Sequence, residues 1–136
     1  MKIKNAKIKK ADIKIEDGAL VLNIEMEGDG WGIIYPLHLC NRDENIHTID
    51  DIAGRCIVET MQVVGVTRFS ELNGSNVRAI FEGNGNLGSR MIGMQNIIKD
   101  NIYFIKPGYE LSEEDRRELI GDHALIEDLR KKGVKI

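Results

Sequence analysis

The chain has 136 residues, 42% of them hydrophobic and 30% charged, with a formal net charge of −3. This length and composition are typical of a single globular domain, 1–136, with a buried core. The acidic balance argues against nucleic acid as a partner. No apolar run approaches the roughly 20 residues of a membrane span, so we expect no membrane partner.

The cysteines and the N-terminus indicate the compartment. Cys40 and Cys56 lack metal-type spacing, and a disulfide framework in so short a chain would need more cysteines. The basic segment MKIKNAKIKKADIKI is not followed by a hydrophobic block, so we do not expect a signal peptide. These features predict a cytoplasmic protein with free thiols.

The first 40 residues predict three antiparallel strands. Apolar and polar residues alternate through 3–15, with an irregularity near Lys9–Lys10, and Asp17–Gly18 fits a type I′ turn before a second strand. The segment GDGWGIIYPLHLC predicts a turn and a third strand, in which Pro36 favours an edge or a bulge. Residues 1–14 hold six lysines and one aspartate. These lysines either protect an edge strand from aggregation or contact phosphates.

An apolar stripe at spacings of three and four predicts a central helix from residue 49 to residue 64 that faces the sheet. Thr48 is its predicted N-cap and Gly65 its left-handed C-terminal residue. Gly54 predicts a close approach to a strand, since glycine in a helix interior costs about 1 kcal/mol against alanine. Cys56 lies on the stripe and is predicted to be a packed thiol rather than a nucleophile.

The C-terminal half predicts two more strands and a second helix. NVRAIFEG and MIGMQNII have strand patterns, and Ser112 is the predicted N-cap of a helix with acids in its first turn and bases in its last. The apolar face of this helix is thin, which favours contact with another subunit and hence a homo-oligomer. The predicted fold class is α+β: an antiparallel sheet of about five strands with one packed central helix and a C-terminal helix.

The sequence contains no recognisable catalytic or metal-binding set. His38, His47 and His123 lack metal-ligand spacing, no serine stands in GxSxG, and neither cysteine has an activation signature. His38 follows the apolar pattern of a strand and is interpreted as structural. We therefore expect no catalytic residue, no metal and no cofactor, and hence a protein that is not an enzyme.

Two features are compatible with a phosphorylated ligand. The loop EGNGNLGSR has a superficial GxGxxG pattern, but a strand follows it instead of a helix. It is either a hairpin connection or a phosphate cradle of amides with Arg90. Arginine forks suit phosphates, and aromatic rings stack on bases. The arginines near turns, strands or a helix start are Arg55, Arg68, Arg78, Arg90, Arg116 and Arg117, and the aromatic residues are Trp31, Tyr35, Phe69, Phe81, Tyr103, Phe104 and Tyr109. Arg116 and Arg117 lie about 100° apart on a helix, so at most one follows a given face.

The order of motifs resembles a family of small phage-encoded proteins. In that family a GxGFGGYxLD-type segment precedes a helix ending in VVGV, a W-E-x-L-x-G turn and an IGxIIKDxWF strand. The matching segments here are GDGWGIIYPLHL, MQVVGVTRFSELNGSNVRAIFEG and MIGMQNIIKDNIYFIKP, over about residues 3–107. Phe69 stands where the family often has Trp, Met91 where it often has His, and Pro36 where it has a polar residue. The family is similar to the anti-Thoeris sponges, which bind glycocyclic ADP-ribose signals of a bacterial defence system without cleaving them, as oligomers with the ligand at subunit interfaces.

The resemblance implies specific ligand contacts. Asn96 and Phe104 belong to its most specific segment, and an arginine of the last helix, Arg116 or Arg117, is a weaker match. Trp31 is then either a stacking lid on a glycine hinge or a core residue at the entry to a strand, since burial of such a ring is routine. The predicted ligand-binding residues are Trp31, Arg90, Asn96, Phe104, Arg116 and Arg117.

The leading hypothesis is that the chain is a phage anti-defence protein that inhibits the Thoeris system and is located in the cytoplasm of the host cell. It binds and sequesters a cyclic ADP-ribose-type signalling nucleotide without cleaving it. The alternative is an acidic phage protein that inhibits a host defence enzyme by direct binding through its last helix. A third hypothesis is a small hydrolase or transferase of signalling nucleotides.

Overall fold

The computed structural model of the chain describes residues 1–39, 51–86 and 88–133, except for the side chains of residues 51, 122–125 and 128. Within these residues six strands form one antiparallel sheet in the order β3-β2-β1-β4-β5-β6. The strands are β1 (Lys2–Glu16), β2 (Ala19–Gly28), β3 (Trp31–His38), β4 (Asn76–Phe81), β5 (Met91–Gln95) and β6 (Tyr103–Ile105). The helices are α1 (Asp51–Val64), a 3-10 turn (Phe69–Leu72) and α2 (Glu113–Lys131). The predicted α+β class is confirmed, and the short β6 is a strand that the sequence pattern did not separate.

The first hairpin forms as predicted, but β1 is a central strand. Asp17 and Gly18 have φ angles of 50° and 79°, as a type I′ turn requires. The register shifts between Ile8 and Lys10, which is the bulge predicted at this point. β1 pairs with β2 on one side and β4 on the other. β4 covers only residues 2–7 of that edge, because the chain returns after α1 along this part of β1. The edge-strand prediction is therefore wrong for Lys2, Lys4 and Lys7, whereas Lys14 lies on the part of β1 that extends beyond β4.

β3 is one edge of the sheet, as Pro36 predicted. The Leu39 amide donates to the Leu20 carbonyl at 2.9 Å, and Pro36 lies opposite Asn23. Alternation along an antiparallel ladder then places Pro36 at a position whose N–H would face away from β2. The missing donor costs no ladder bond, and the proline blunts this edge against another strand.

The two helices pack on opposite faces of the sheet. Neighbouring residues of a strand point to opposite faces, and Ala79 and Ile80 belong to different clusters. One cluster packs under α1, and its buried members from α1, β4, β5 and β6 include Ala53, Cys56, Val63, Ala79, Met94 and Phe104. The other joins α2 to the sheet through Leu119, Ile120, Ile80 and Ile92. Cys56 is fully buried, so its prediction as a packed thiol is confirmed.

The helix termini agree with the sequence signals, with two differences. Gly65 has a φ of 86° and ends α1, and the Ser112 hydroxyl accepts a bond from the Asp115 amide at 3.1 Å. Gly54 is exposed, with no atom within 4 Å of the position of an added Cβ, so the predicted close approach to a strand is wrong. α2 is interrupted at Gly121, which the helical pattern did not predict. Thr48 lies outside the described residues.

Candidate functional site

A cleft of about 540 Å3 lies at the β6 edge of the sheet, between α1 and α2. We refer to it as the β6 cleft. Its walls combine three cations, three aromatic rings and two acids: Arg55, Arg116 and Lys132; Tyr103, Phe104 and Tyr109; Glu59 and Glu110. Three cations against two carboxylates leave a surplus positive charge of one. The cleft is therefore suited to an anion that also carries a planar group.

Backbone geometry determines which groups β6 presents at this edge. The Asn96 amide donates to the Ile102 carbonyl at 2.8 Å, and the Lys106 amide donates to the Ile92 carbonyl at 2.9 Å. Phe104, which lies opposite Met94, therefore directs its backbone groups to β5, while those of Ile105 turn away from β5, toward the open edge. The cleft thus borders a strand edge in addition to the charged side chains.

Gly93 determines how closely β6 approaches β5. A Cβ on Gly93 would collide with the Phe104 carbonyl oxygen and would stand 2.9 Å from the Ile105 side chain. A glycine is needed here because of this close approach, and its φ lies outside the left-handed region. Any larger residue would move β6 outward and change the floor of the cleft.

The three cations are held to different degrees. Arg55 Nε lies 3.8 Å from Glu59 Oε1, one turn along α1. Lys132 Nζ lies 5.2 Å from the centre of the Tyr103 ring and donates to the Tyr103 hydroxyl at 3.3 Å. The Arg116 guanidinium has no carboxylate within 4.0 Å among the described residues. Arg116 is accordingly the cation that is most available to a ligand.

Two of the six predicted ligand residues line the β6 cleft. Phe104 is buried in its floor and Arg116 stands in its wall, whereas Arg117 is exposed and is not part of the lining. This difference follows from the 100° between successive helical residues. Sequence analysis did not place Lys132 or the two tyrosines in the site. The tyrosines flank the segment FIKPG, but only the fold shows that both face the same cleft.

Asn96 lies in the turn between β5 and β6, where its side chain holds the scaffold together. Its Nδ2 donates to the Val63 carbonyl at 2.8 Å, and its Oδ1 accepts from the amides of Ile98 and Lys99 at 3.0 and 2.9 Å. The side chain thus closes the turn and ties it to the end of α1. Asn96 is not among the residues that line the cleft.

Trp31 lies away from the β6 cleft, in a cluster with Lys4, Gly28 and Phe81 that we call the Trp31 cluster. The Trp31 and Phe81 rings meet edge to face, with centres 5.5 Å apart at 85°. Lys4 Nζ is 5.7 Å from the Trp31 ring and 5.4 Å from the Phe81 ring. The indole also covers Gly28, where any Cβ would overlap it. Trp31 is half-buried and packs against the core under α1.

Arg90 lies at the end of the glycine-rich loop, which is a hairpin connection between β4 and β5. Arg90 Nε lies 3.4 Å from Glu82 Oε1. Burial and the nearby positive charge of Arg90 lower the pKa of Lys106, and Glu82 opposes this effect. Arg90 therefore belongs to a small surface charge cluster outside the β6 cleft.

In the part of the chain that the structure describes, no three His, Cys, Asp or Glu side chains are placed to hold a metal ion, and no helix is long and apolar enough to cross a membrane. No protein-family model matches the sequence, and searches of curated proteins and of solved structures find no match.

Proposed function

We propose that this protein binds a small phosphorylated nucleotide in the β6 cleft and holds it without cleaving it. The observation that carries the proposal is the convergence of Arg55, Arg116 and Lys132 with two tyrosines around one cleft. Its volume of about 540 Å3 lies within the range of roughly 300–1,000 Å3 that is typical of small-molecule sites.

Each part of the cleft has a role in this proposal. The guanidinium groups of Arg116 and Arg55 hold phosphate oxygens, for which arginine offers a planar pair of donors. Tyr103 and Tyr109 stack on the base, an interaction worth about 1–3 kcal/mol per base in single-strand binding proteins. The two carboxylates limit the net attraction to anions, so shape and stacking contribute to selectivity.

The resemblance to the anti-Thoeris sponges suggests the ligand class, a cyclic ADP-ribose-type signal, and with it an anti-defence role in a phage-infected cell. The same resemblance suggests a homo-oligomer.

The test is to mix the purified protein with glycocyclic ADP-ribose, follow the melting temperature, and recover the nucleotide by heat denaturation and chromatography. We expect a raised melting temperature, because a ligand of the folded state stabilises it by mass action, and return of the nucleotide intact. A chemically altered nucleotide would contradict capture without cleavage. An unchanged melting temperature across related cyclic nucleotides would reject the nucleotide ligand.

A matched pair of variants locates the site. Arg116→Gln removes a charge from the cleft, and we expect the dissociation constant to rise about tenfold or more, since hydrogen bonds to charged groups are worth about 1.5–3 kcal/mol. Arg117→Gln removes the same charge from the neighbouring exposed position and should leave affinity within about twofold. Equal losses in both variants would place the ligand elsewhere.

A second candidate function is inhibition of a host defence enzyme by direct binding. Exposed acids on α2 support it because acidic surfaces can imitate nucleic acid: Glu113, Glu114 and Glu118 precede the break at Gly121, and Glu127 follows it. This candidate predicts inhibition of a purified defence enzyme by nucleotide-free protein, and loss of that inhibition when the four glutamates become glutamines. Inhibition that survives all four substitutions would reject the acidic surface as the contact.

A further inference from the structure

α2 is divided into two segments at Gly121. This residue has φ 74° and ψ 163°, a combination that is essentially restricted to glycine. No atom lies within 4 Å of the position of an added Cβ. Glycine is therefore required by the bend of the backbone rather than by lack of space.

The segment before the bend is fixed to the sheet. Leu119 and Ile120 are only 4% and 5% exposed and pack against Ile80 and Ile92. Gln95 is buried on β5, and its Nε2 donates to the Leu119 carbonyl at 3.1 Å. These contacts anchor α2 up to the residue that precedes Gly121.

The segment after the bend, residues 122–133, has no buried side chain among those that the structure describes. Ile126 is exposed and Leu129 is only half-buried. Segments that bury few apolar side chains open at low free-energy cost, well below that of global unfolding. The described side chains of the two segments thus differ in burial.

The bend also completes the β6 cleft. A straight helix would hold residues 116 and 132 about 24 Å apart along its axis, whereas a sphere of 540 Å3 is about 10 Å across. Yet Arg116 and Lys132 both line the cleft, and Lys132 contacts Tyr103. The break at Gly121 lies between these two residues, so its backbone angles set where Lys132 meets the cleft.

We propose that residues 122–133 form a lid over the β6 cleft, hinged at Gly121, with Lys132 near its tip. Lys132 contacts the Tyr103 ring and hydroxyl. When an anionic ligand enters, Lys132 moves to it and the lid is held closed by ligand as well as by protein. The action of the lid on a ligand rests on the proposed function of the cleft. The hinge at Gly121 does not depend on that function.

Hydrogen exchange of the full chain tests the hinge and the lid separately. In ligand-free protein we expect amides of residues 122–133 to exchange at least about tenfold faster than those of residues 116–120. Added glycocyclic ADP-ribose should slow the exchange of residues 122–133 toward that of the anchored segment. Equal exchange in the two segments without ligand would overturn the hinge, whether or not any nucleotide binds.

Two matched pairs of variants test the hinge and the lid by measuring the affinity for the nucleotide. Alanine disfavours the backbone angles of Gly121, so Gly121→Ala should favour a continuous helix that carries Lys132 away from the cleft, and the dissociation constant should rise about tenfold. Gly54→Ala places the same change in the exposed interior of α1 and should leave affinity unchanged. Lys132→Met should raise the dissociation constant as much as Gly121→Ala does. Lys131→Met, at an exposed position outside the lining of the cleft, should leave it unchanged.

The outcomes separate the two proposals. Nucleotide binding that neither slows residues 122–133 nor weakens in Gly121→Ala would overturn the lid and leave the cleft as a ligand site. If no nucleotide binds, the proposed function and the lid's role both fail, and the ligand-free exchange rates still decide the hinge.

Discussion

The Trp31 cluster and the β6 cleft both combine aromatic rings with cations, but they use the cations differently. In the Trp31 cluster, Lys4 stands over two rings and donates to the Gly85 carbonyl at 2.7 Å. In the β6 cleft the cations outnumber the acids, and Arg116 has no carboxylate partner among the described residues. Lys4 thus already has a carbonyl acceptor and two rings within the protein, whereas Arg116 is in no ion pair among the described residues.

This difference shows why a list of arginines and aromatic residues does not locate a binding site. Trp31 has the largest ring in the chain and sits between glycines, a pattern that left a stacking lid and a core residue as alternatives. The structure instead uses Gly28 as the surface on which the indole lies. What distinguishes a ligand site from a packing cluster is whether the protein already satisfies its polar groups.

The largest expected effect is on stability, at Trp31. Trp31→Ala should lower the free energy of unfolding by about 2–3 kcal/mol, because a half-buried ring over the core is lost. Urea unfolding measures this, and affinity for the nucleotide should stay within about twofold. Gly28→Ala should also destabilise by displacing the indole, whereas Gly32→Ala should be tolerated, since the nearest atom to its Cβ would be 3.6 Å away. A Trp31→Ala protein that is stable but no longer binds would make Trp31 the lid.

The next prediction distinguishes the cation of the Trp31 cluster from the cations of the β6 cleft. Lys4→Met should lower the free energy of unfolding by about 1 kcal/mol through loss of the ring contacts and of the bond to Gly85, without changing affinity. Urea unfolding and titration with the nucleotide measure the two quantities. Lys14→Met, at an exposed position on the part of β1 that extends beyond β4, is the control for loss of a lysine charge. A weaker nucleotide affinity in Lys4→Met would show that the Trp31 cluster is also a ligand site.

A smaller effect is expected from an acid in the cleft. Glu110→Gln removes a carboxylate from the lining and should strengthen binding of an anionic nucleotide about threefold at low salt, with a smaller gain at high salt. Isothermal titration at two salt concentrations measures this, and Glu16→Gln in the β1–β2 hairpin is the control. An unchanged affinity in Glu110→Gln would mean that the ligand's charge lies away from this wall.

The effect that is smallest at neutral pH concerns the strand that carries Trp31, and it develops only at alkaline pH. Tyr35 is buried, and its hydroxyl has no hydrogen-bond partner among the described residues. Burial, and secondarily nearby Cys56, raise the pKa of Tyr35 in the folded protein. An unfolded tyrosine ionises near pH 10, so the unfolded state loses its proton first and stability falls as the pH rises above about 10, by up to about 1.4 kcal/mol per pH unit.

Urea unfolding at pH 8 to 11 measures this slope. Tyr35→Phe should reduce it and leave stability near neutral pH equal or slightly higher, because no buried hydroxyl remains unpaired. An identical slope in Tyr35→Phe and the unaltered protein would show that Tyr35 does not stay neutral in the folded state.

Local signals in the sequence determined most of the fold. Asp17–Gly18, the bulge before Lys10, the edge or bulge indicated by Pro36 and the left-handed Gly65 each depend on a few neighbouring residues, and each prediction is confirmed, with Pro36 on an edge strand. The central position of β1 could not be predicted in this way. It depends on where β4 returns after α1, a pairing between residues more than 60 positions apart.

The features of the candidate site also divide into those that the sequence determines and those that tertiary structure determines. The sequence alone determines which residue types suit phosphates and bases. It also determines that only one of Arg116 and Arg117 follows a given face of the helix. The convergence of Arg55, Arg116, Lys132 and the tyrosines was decided by tertiary structure, because it needs β6 at an edge, α1 and α2 on opposite faces, and backbone angles at Gly121 that set where Lys132 meets the cleft. Helical and strand periods report on near neighbours, whereas the cleft is made by elements that meet only when the sheet is complete.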